Sequence, residues 1–417
     1  MSNPESRSGS VAALVTVFAL NGFLMAQVVS RMPTLRDQVD ASTARLGLAL
    51  VAVGVGSMIG MPWTARLTER FGSAAVVMAS ATLNIAGWAS LALVQTPTTL
   101  TVALFVVGLN VGVWDVAMNV QGNTLEMLLR RVLMPRLHAG FSAGTVAGAL
   151  TGAACAAAGV PLSVQLPVIS AVGLVLVTWG VRQFVPDPHQ RSQRDDRQTD
   201  GQTGRQTGRQ TGRQSGREPG ARRTRLSGLE LLLGLLTFST ALGEGAANDW
   251  LALVLVDERG AAESVGALTF AAFNVAMTVG RLGGGALIRR RGRALVLRLS
   301  GVTAVTGVLL VALVPSLAAS MTGGLMWGLG LSVVFPATMS AAGEIPDRGP
   351  HAIGVVSTIG YVGFLAGAPT IGLLAEQVGL DLALLVVAVV CSLVFLLAGA
   401  AHERTPAHAQ EPTTRHP

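Results

Sequence analysis

The chain has 417 residues, of which 50% are hydrophobic and only 13% are charged, with a net charge of +7. Soluble domains carry about a quarter charged residues, so the composition excludes an ordinary soluble protein and favours a membrane protein. All 30 basic residues are Arg, which excludes a phosphate loop ending in G-K-[ST] and a Schiff-base lysine. Two Cys and six scattered His indicate no metal site. No nucleophile–base set is apparent, so we expect neither an enzyme nor a cofactor.

Apolar runs long enough to cross a bilayer follow one another along the chain. A helix needs about 20 apolar residues to span the hydrocarbon core. The runs cover roughly residues 11–30, 44–65, 74–94, 99–121, 139–159, 164–184, 229–255, 264–288, 294–313, 318–341, 352–376 and 380–400. The first run is too long for the apolar region of a secretory signal and lacks its cleavage site. The sequence therefore predicts an all-α membrane protein with twelve transmembrane helices.

A polar, arginine-rich segment separates the first six runs from the last six. It contains a degenerate Gly-Arg-Gln-Thr repeat over 201–213 and has no apolar face to bury, so we predict a disordered linker. Its arginines favour a cytoplasmic charge tether over nucleic-acid binding. The predicted organisation is a six-helix half over 1–185, a linker over 186–225, a second half over 226–402 and a tail over 403–417.

The distribution of arginine predicts the orientation of the chain. Loops on the cytoplasmic side of a membrane protein carry an excess of Arg and Lys. If the N-terminus is cytoplasmic, that side receives the linker and most loop arginines, among them Arg66, Arg70, Arg130, Arg131, Arg136, Arg289, Arg290, Arg291 and Arg293. The other side keeps few arginines, interspersed with acids such as Asp257 and Glu263. Both termini are therefore predicted to be cytoplasmic.

The two sets of six spans repeat each other in sequence. A shift of 220 residues carries Gly60, Gly72, Gly108 and Gly140 onto Gly280, Gly292, Gly328 and Gly360. One constant offset across four helices predicts two six-helix halves in the same orientation, which is a recurrent plan of secondary transporters.

The stretch that follows the second span resembles a known family signature. Residues 65–72, with Arg66, Glu69, Arg70 and Gly72, are similar to the G-x-L-A-D-R-x-G loop of the major facilitator superfamily. Ala65 replaces the first Gly, and Glu69 replaces the Asp. The equivalent stretch, 285–293, has Arg where the acid belongs. The resemblance implies an alternating-access transporter in which this loop latches the cytoplasmic ends of the halves.

Three further stretches resemble one bacterial branch of that superfamily. They are residues 115–121, 138–144 and 243–250. The branch contains inner-membrane, rhizopine-transport and fucose-permease-like proteins, which implies a small polar, sugar-like solute. The G-P-x-x-G-G signature of drug exporters is absent from the fifth span, and its absence disfavours drug efflux.

Glu244 is the foremost candidate for coupling protons to solute movement. It lies within the otherwise apolar seventh span, on one face with Thr237, Thr240 and Asn248. A charge at the centre of a membrane helix costs roughly 2.5–3.5 kcal/mol, so such residues usually face water or a partner. We predict a proton or substrate site that faces the cavity. The alternative is a protonated structural acid bonded to a neighbouring helix.

Asp115, on the fourth span, is the second candidate carboxylate. In the major facilitator superfamily, which the sequence resembles, the first, fourth, seventh and tenth helices line the cavity. The alternative for Asp115 is an ion pair with Arg281, which lies at a similar depth on the eighth span and would couple the halves on the inner side. An Arg31–Asp249 pair is predicted to close the outer side, with a place in the headgroup region as its alternative.

Other polar side chains on the spans are candidates for the solute cavity. Amides supply hydrogen bonds, and an indole offers a stacking face to a sugar-like solute. These candidates are Asn21, Gln27, Asn119, Asn248, Asn274 and Trp327. Each has a structural alternative, because Asn and Gln also bridge helices and Trp often serves packing.

Together these features predict a proton-coupled secondary transporter of a small polar organic solute. We expect a monomer in a bacterial inner membrane, whose partners are the solute, protons and lipid. One alternative is a drug or metabolite:proton antiporter. An alternative of another class is a membrane sensor or assembly protein, which the absence of a sizeable soluble domain disfavours.

Overall fold

The computed structural model describes residues 4–131, 133–187, 226–346 and 348–402. Helices and short turns make up these ranges, and they contain no β-strand. Most of the predicted linker, residues 188–225, and the predicted tail, residues 403–417, lie outside the described residues. The boundaries proposed for them therefore remain predictions.

Twelve helices in the described ranges are long and apolar enough to cross a membrane. In chain order they are α1 Pro4–Val29, α2 Thr43–Phe71, α3 Ser73–Ser90, α4 Pro97–Leu129, α5 Met134–Ala157, α6 Leu162–Val181, α7 Gly228–Asp257, α8 Glu263–Arg291, α9 Arg293–Leu313, α10 Leu317–Gly343, α11 Gly349–Val378 and α12 Leu380–Ala401. A short helix, Met32–Gln38, follows α1, and one 3₁₀ turn, Leu91–Leu93, extends α3. The predicted all-α fold class with twelve spans is confirmed.

Backbone turns show the same repeat of 220 residues that the glycines show. Left-handed φ values occur at Asp40 and Gly260 (49° and 62°), at Gly72 and Gly292 (83° and 80°), and at Gly159 and Gly379 (66° and 88°). Each pair is separated by 220 positions. Helices α2 and α8 also begin and end at that offset. The two halves therefore turn the chain at corresponding points, and the predicted pseudo-repeat is confirmed.

The motif predicted for the loop after the second span lies on a helix instead. Arg66, Glu69 and Arg70 belong to the last two turns of α2, and Gly72 ends it with a left-handed φ of 83°. The sequence prediction ended this helix where the apolar residues end. Leu, Arg and Glu are good helix formers in water as well, so the helix continues beyond the apolar run.

Helix α10 is interrupted where its counterpart α4 is continuous. The helical pattern stops at Ser332 and Val333 and resumes at Val334. Pro336 lies just beyond, and its ring has no N–H to donate to the carbonyl four residues earlier. This missing hydrogen bond accounts for the break, which periodicity of apolar residues does not reveal.

The two halves contact each other toward one face of the bundle. We name the face where α1 begins and α12 ends the terminal face, and the other the opposite face. Near the opposite face α2 packs on α11, where a Cβ on Gly47 would lie 2.6 Å from the carbonyl oxygen of Ala368. Helices α5 and α8 meet there too, through Ala149 and Phe270. Glycine therefore permits the close approach that seals this side.

Candidate functional site

An ion pair lies midway along α7 and α8. Nη2 of Arg281 donates to Oε2 and Oε1 of Glu244 at 3.2 and 3.3 Å. The Glu244 side chain is 33% exposed and the Arg281 side chain 41%. Charged groups so far from the helix ends face a space that water enters. Glu244 therefore pairs with Arg281, the cation that the sequence analysis named as the alternative partner of Asp115.

Asp115 lies in the other half of the molecule and has different neighbours. The amide nitrogen of Asn119 donates to the Asp115 carbonyl at 2.8 Å and to its carboxylate at 3.4 Å. The carboxylate also interacts electrostatically with His138 on α5 and Tyr361 on α11. Because Tyr361 belongs to the second half, Asp115 faces the gap between the halves. The alternative pairing of Asp115 with Arg281 is not formed. Arg281 lies on α8, which packs against α7, and it therefore pairs with Glu244.

Two predicted cavity residues instead hold helices of the first half together. Gln27 is 1% exposed; its amide donates to the Gly148 carbonyl at 3.0 Å and accepts from Gln165 at 2.7 Å. Asn21 is 6% exposed, with its amide nitrogen 3.9 Å from the Met118 sulfur. Both amides lie among packed helices in this state, which is the arrangement expected from the structural alternative.

The predicted stacking residue Trp327 is also buried in helix packing. It is 0% exposed and meets the Phe273 ring edge-on, with the ring centroids 6.1 Å apart. Asn274 donates to the Phe270 carbonyl of its own helix at 3.0 Å. Trp327 thus offers no face to a solute here, because α8 and α10 close over it.

Arg31 joins the halves at the opposite face, but its partner differs from the predicted one. Its Nε lies 3.0 Å from Oε1 of Glu263 at the start of α8. Thr34 donates to the same carboxylate oxygen through its hydroxyl and, at 3.3 Å, through its backbone N–H. The predicted Arg31–Asp249 pair is therefore not formed in this structure. The loop after α1 brings Arg31 to the helix that follows α7, rather than to α7 itself.

A buried network holds the Arg31 guanidinium in place. Arg31 is 4% exposed, and its Nη1 donates to the Gln165 side chain at 2.6 Å and to the Val160 carbonyl at 3.1 Å. Gln165 in turn bonds Gln27. Charge-assisted hydrogen bonds are stronger than neutral ones, so this network fixes the geometry of the Arg31–Glu263 pair.

Two further contacts between the halves were missed from the sequence. Arg36 binds Asp257 through both terminal nitrogens, and Glu376 accepts from the Ala44 N–H at the start of α2 at 3.3 Å. Burial opposes the charge of Arg36, but the carboxylates of Asp257 and Asp37 raise the pKa of Arg36 above its ordinary value. The sequence contains a signal for these contacts, because the loops of this face carry both arginines and acids. Those charges were used above only to predict the orientation of the chain.

Asn248 and Asp249 line a small pocket near that seal. The pocket has a volume of about 90 Å³ and receives side chains from α1, α2, α3 and α4 as well as from α7 and α11. Asp249 forms no hydrogen bond or ion pair within the described residues. The carboxylate predicted as a gate thus faces a mostly apolar enclosure between the halves.

At the terminal face the predicted motif makes local contacts. Arg66 lies over the Trp63 ring, 5.5 Å from its centroid, and Arg70 lies 5.1 Å from the centroid of Phe71. Glu69 is exposed and pairs with no cation among the described residues. A latch between the halves through this motif is not formed in this conformation.

All hydrogen bonds and ion pairs that the described residues form between the two halves lie at the opposite face. The charged groups of Glu244, Arg281 and Asp115 lie between that seal and the terminal face. A bundle of twelve membrane-length helices is a multi-pass membrane protein, and this one carries charged groups in its interior.

The comparisons with known proteins place this chain more closely. The family profile of the Major Facilitator Superfamily matches residues 12–349 and 233–417. An uncharacterised MFS-type transporter of Yersinia pestis is 30% identical over 88% of this chain and 89% of its own. The uncharacterised transporter y4wD of Sinorhizobium fredii is 32% identical over 91% and 95% of the two chains. The membrane protein MosC of Rhizobium meliloti is 27% identical over 93% and 90%. The chain belongs to the Major Facilitator Superfamily.

Solved structures share the fold at low sequence identity. A variant of the nucleoside transporter NupG superposes with a TM-score of 0.74 at 13% identity, over 95% of this chain and 99% of its own. A bacterial homologue of the human lysosomal transporter Spinster, inward-facing and unoccupied, also gives 0.74 at 13% identity, over 97% and 100%. The resemblance read from the sequence, to this superfamily and to its sparsely characterised bacterial members, is confirmed.

Proposed function

We propose that the chain is a proton-coupled secondary transporter of a small polar, sugar-like solute. It works by alternating access in a bacterial inner membrane, with both termini in the cytoplasm. The observation that carries the proposal is the Glu244–Arg281 pair, whose partly exposed groups lie 3.2 Å apart in the middle of two membrane helices. A permanently structural pair would be better buried and better bonded.

The pair supplies a chemical means of coupling. A proton on Glu244 removes the negative charge that holds Arg281, so the guanidinium becomes free to donate to solute oxygens. Arg carries five N–H donors in a fixed plane, which suits hydroxyl and carboxylate acceptors. Across the gap, Asp115 and Asn119 supply acceptors and a donor from the other half. A solute held by both sides stabilises the approach of the halves.

The closed opposite face gives the direction of the next step. Arg31–Glu263 and Arg36–Asp257 hold the halves together there, and the corresponding contacts are not formed between the described residues of the terminal face. The gap is therefore accessible from the terminal face in this state. With the termini in the cytoplasm, this is the state from which an imported solute and its proton leave.

Substitution of Glu244 tests the proposal. A thermal-shift screen of sugars, polyols, amino acids and drugs at two pH values first identifies a binding solute. In proteoliposomes with an imposed pH gradient, Glu244→Gln should abolish accumulation of that solute, because the neutral amide cannot cycle a proton. Exchange of labelled for unlabelled solute should continue. Asp40→Asn removes an exposed acid of the opposite face and should leave both unchanged.

Full gradient-driven accumulation by Glu244→Gln would refute the role of Glu244. Acidification that accompanies solute movement in the opposite direction, measured in inverted vesicles, would instead identify an exporter of the antiport type.

A further inference from the structure

We propose that Asp249 is a second proton-binding site, and that it takes up its proton when the opposite face closes. The proposal rests on proton coupling as proposed above, and it gives that coupling a second location and a conformational role. Asp249 lies about 7.5 Å beyond Glu244 along α7, since each residue advances the helix by about 1.5 Å. The two carboxylates belong to one helix but to different surroundings.

Both halves of the molecule build the enclosure around Asp249. Its volume is about 90 Å³, enough for a few water molecules at most. From the first half it receives Met25, Leu50 and Trp88, and from the second half Phe364 beside Asn248. Because the walls come from two bodies, the enclosure exists only while those bodies are together at this face.

Within that enclosure Asp249 has no partner that would stabilise a negative charge. Apart from Asp249 itself, no residue that lines the pocket is titratable. Nearby charged residues of the same face and of the lining helices are already bonded: Arg31 to Glu263, Glu376 to the Ala44 N–H, Glu244 to Arg281 and Asp257 to Arg36. Other charged residues lie further along the lining helices, among them Arg45 at the start of α2 and Asp115 on α4. Asp249 is half-buried, and a carboxylate largely removed from water without such a partner favours the protonated, neutral form.

The composition of the pocket selects a proton over a metal cation. Metal ions such as Ca²⁺ and Mg²⁺ need six or more oxygen ligands. Here Asp249 and Asn248 are the sole lining residues with side-chain oxygens. A proton requires a single oxygen, and the protonated acid has an N–H or C=O of Asn248 within the same pocket as a candidate partner.

Proton binding and closure are therefore linked. In the state open to the opposite face, Asp249 meets water and ionises; on closure one O–H bond forms, with the proton drawn from water on that side. For one linked proton, the ratio of closed to open molecules changes by at most about tenfold per pH unit. Lower pH favours closure, because the closed state binds the additional proton.

The experiment measures that ratio without a solute. Both native cysteines are first replaced, and spin labels are attached at Ala158→Cys and Ala262→Cys, two exposed positions of the opposite face in different halves. Distances between the labels are recorded in lipid nanodiscs from pH 5 to pH 9. The full-length protein is compared with Asp249→Asn, Asp249→Ser, Glu244→Gln and Asp40→Asn.

We expect the short distance to gain population as pH falls in the parent protein and in Asp40→Asn, by several-fold over the range. Asp249→Asn and Asp249→Ser, which are neutral at every pH, should keep the short distance throughout. Two different replacements guard against one that fails to fold, and a monodisperse elution profile checks both. Glu244→Gln should retain the pH dependence.

Persistence of the parent's pH dependence in folded Asp249→Asn or Asp249→Ser would overturn the proposal, as would a parent protein whose distances ignore pH. If Glu244→Gln alone removes the dependence, proton coupling stands on Glu244 and Asp249 has no part in it. If proteoliposome transport proves independent of protons while these distances respond to Asp249, the coupling proposal fails separately.

Discussion

The two faces of the molecule use their charged side chains in different ways. At the opposite face Arg31, Arg36 and Glu376 bind groups of the other half. At the terminal face the pairs that the described residues form stay within one half: Arg293 with Glu344 at 2.5 Å, and Arg348 with Glu230 at 2.9 Å. Pairs of the first kind join the two halves at the closed face, and pairs of the second kind connect helices of the same half.

Burial strengthens this contrast. Arg31 is almost fully enclosed by hydrogen-bonding groups, whereas Arg66, Glu69 and Arg70 of the terminal face are exposed. Exposed charges are screened by salt and contribute little to stability. Buried pairs depend on having both partners, since loss of one leaves the other uncompensated. Loss of Arg31 at the closed face should therefore have a sharp effect, whereas loss of Arg66, Glu69 or Arg70 at the terminal face should not.

The largest effect is expected from Arg31→Ala. The substitution leaves Glu263 without its cation, and removal of one partner of a buried pair costs about 3–5 kcal/mol. The protein should therefore shift toward opening of the opposite face. Label distances between Ala158→Cys and Ala262→Cys measure the shift. Arg45→Ala removes an exposed arginine of the same face and serves as the matched control. A closed face in Arg31→Ala would show that apolar packing alone maintains the seal.

A smaller effect is expected from Arg36→Ala. The Arg36–Asp257 pair is partly exposed, at 16% and 25% for the two side chains, so its loss should cost about 1 kcal/mol and matter less at high salt. The same label distances at 50 mM and 500 mM salt detect this. The charge exchange Arg36→Asp with Asp257→Arg should restore closure, and failure of the exchange would point to a role beyond the pair.

The smallest effect is expected from Glu69→Gln at the terminal face. In the present state this acid pairs with no cation among the described residues. The free energy of unfolding should therefore change by less than about 0.5 kcal/mol, and the label distances at the opposite face should stay the same. A marked widening at the opposite face would break the contrast between the faces and assign this motif a role in the state described here.

The amino-acid sequence by itself determined the architecture of this protein. Twelve apolar runs of bilayer length and glycines repeated at a constant offset of 220 residues follow from local physics: backbone groups in lipid must bond within a helix, and tight turns favour Gly. The sequence also singled out Glu244, because a carboxylate within an apolar run requires a partner or water.

Only the tertiary structure decided which charges meet. Arg31 had both Asp249 and Glu263 at suitable depth, and Arg281 had both Asp115 and Glu244. The choice depends on how each helix is rotated and tilted against its neighbours. Side-chain packing over the whole interface sets those angles, and no pattern along one helix records them. That packing gave Glu244 a guanidinium and left Asp249, five residues further on, in an enclosure without a charge to meet it.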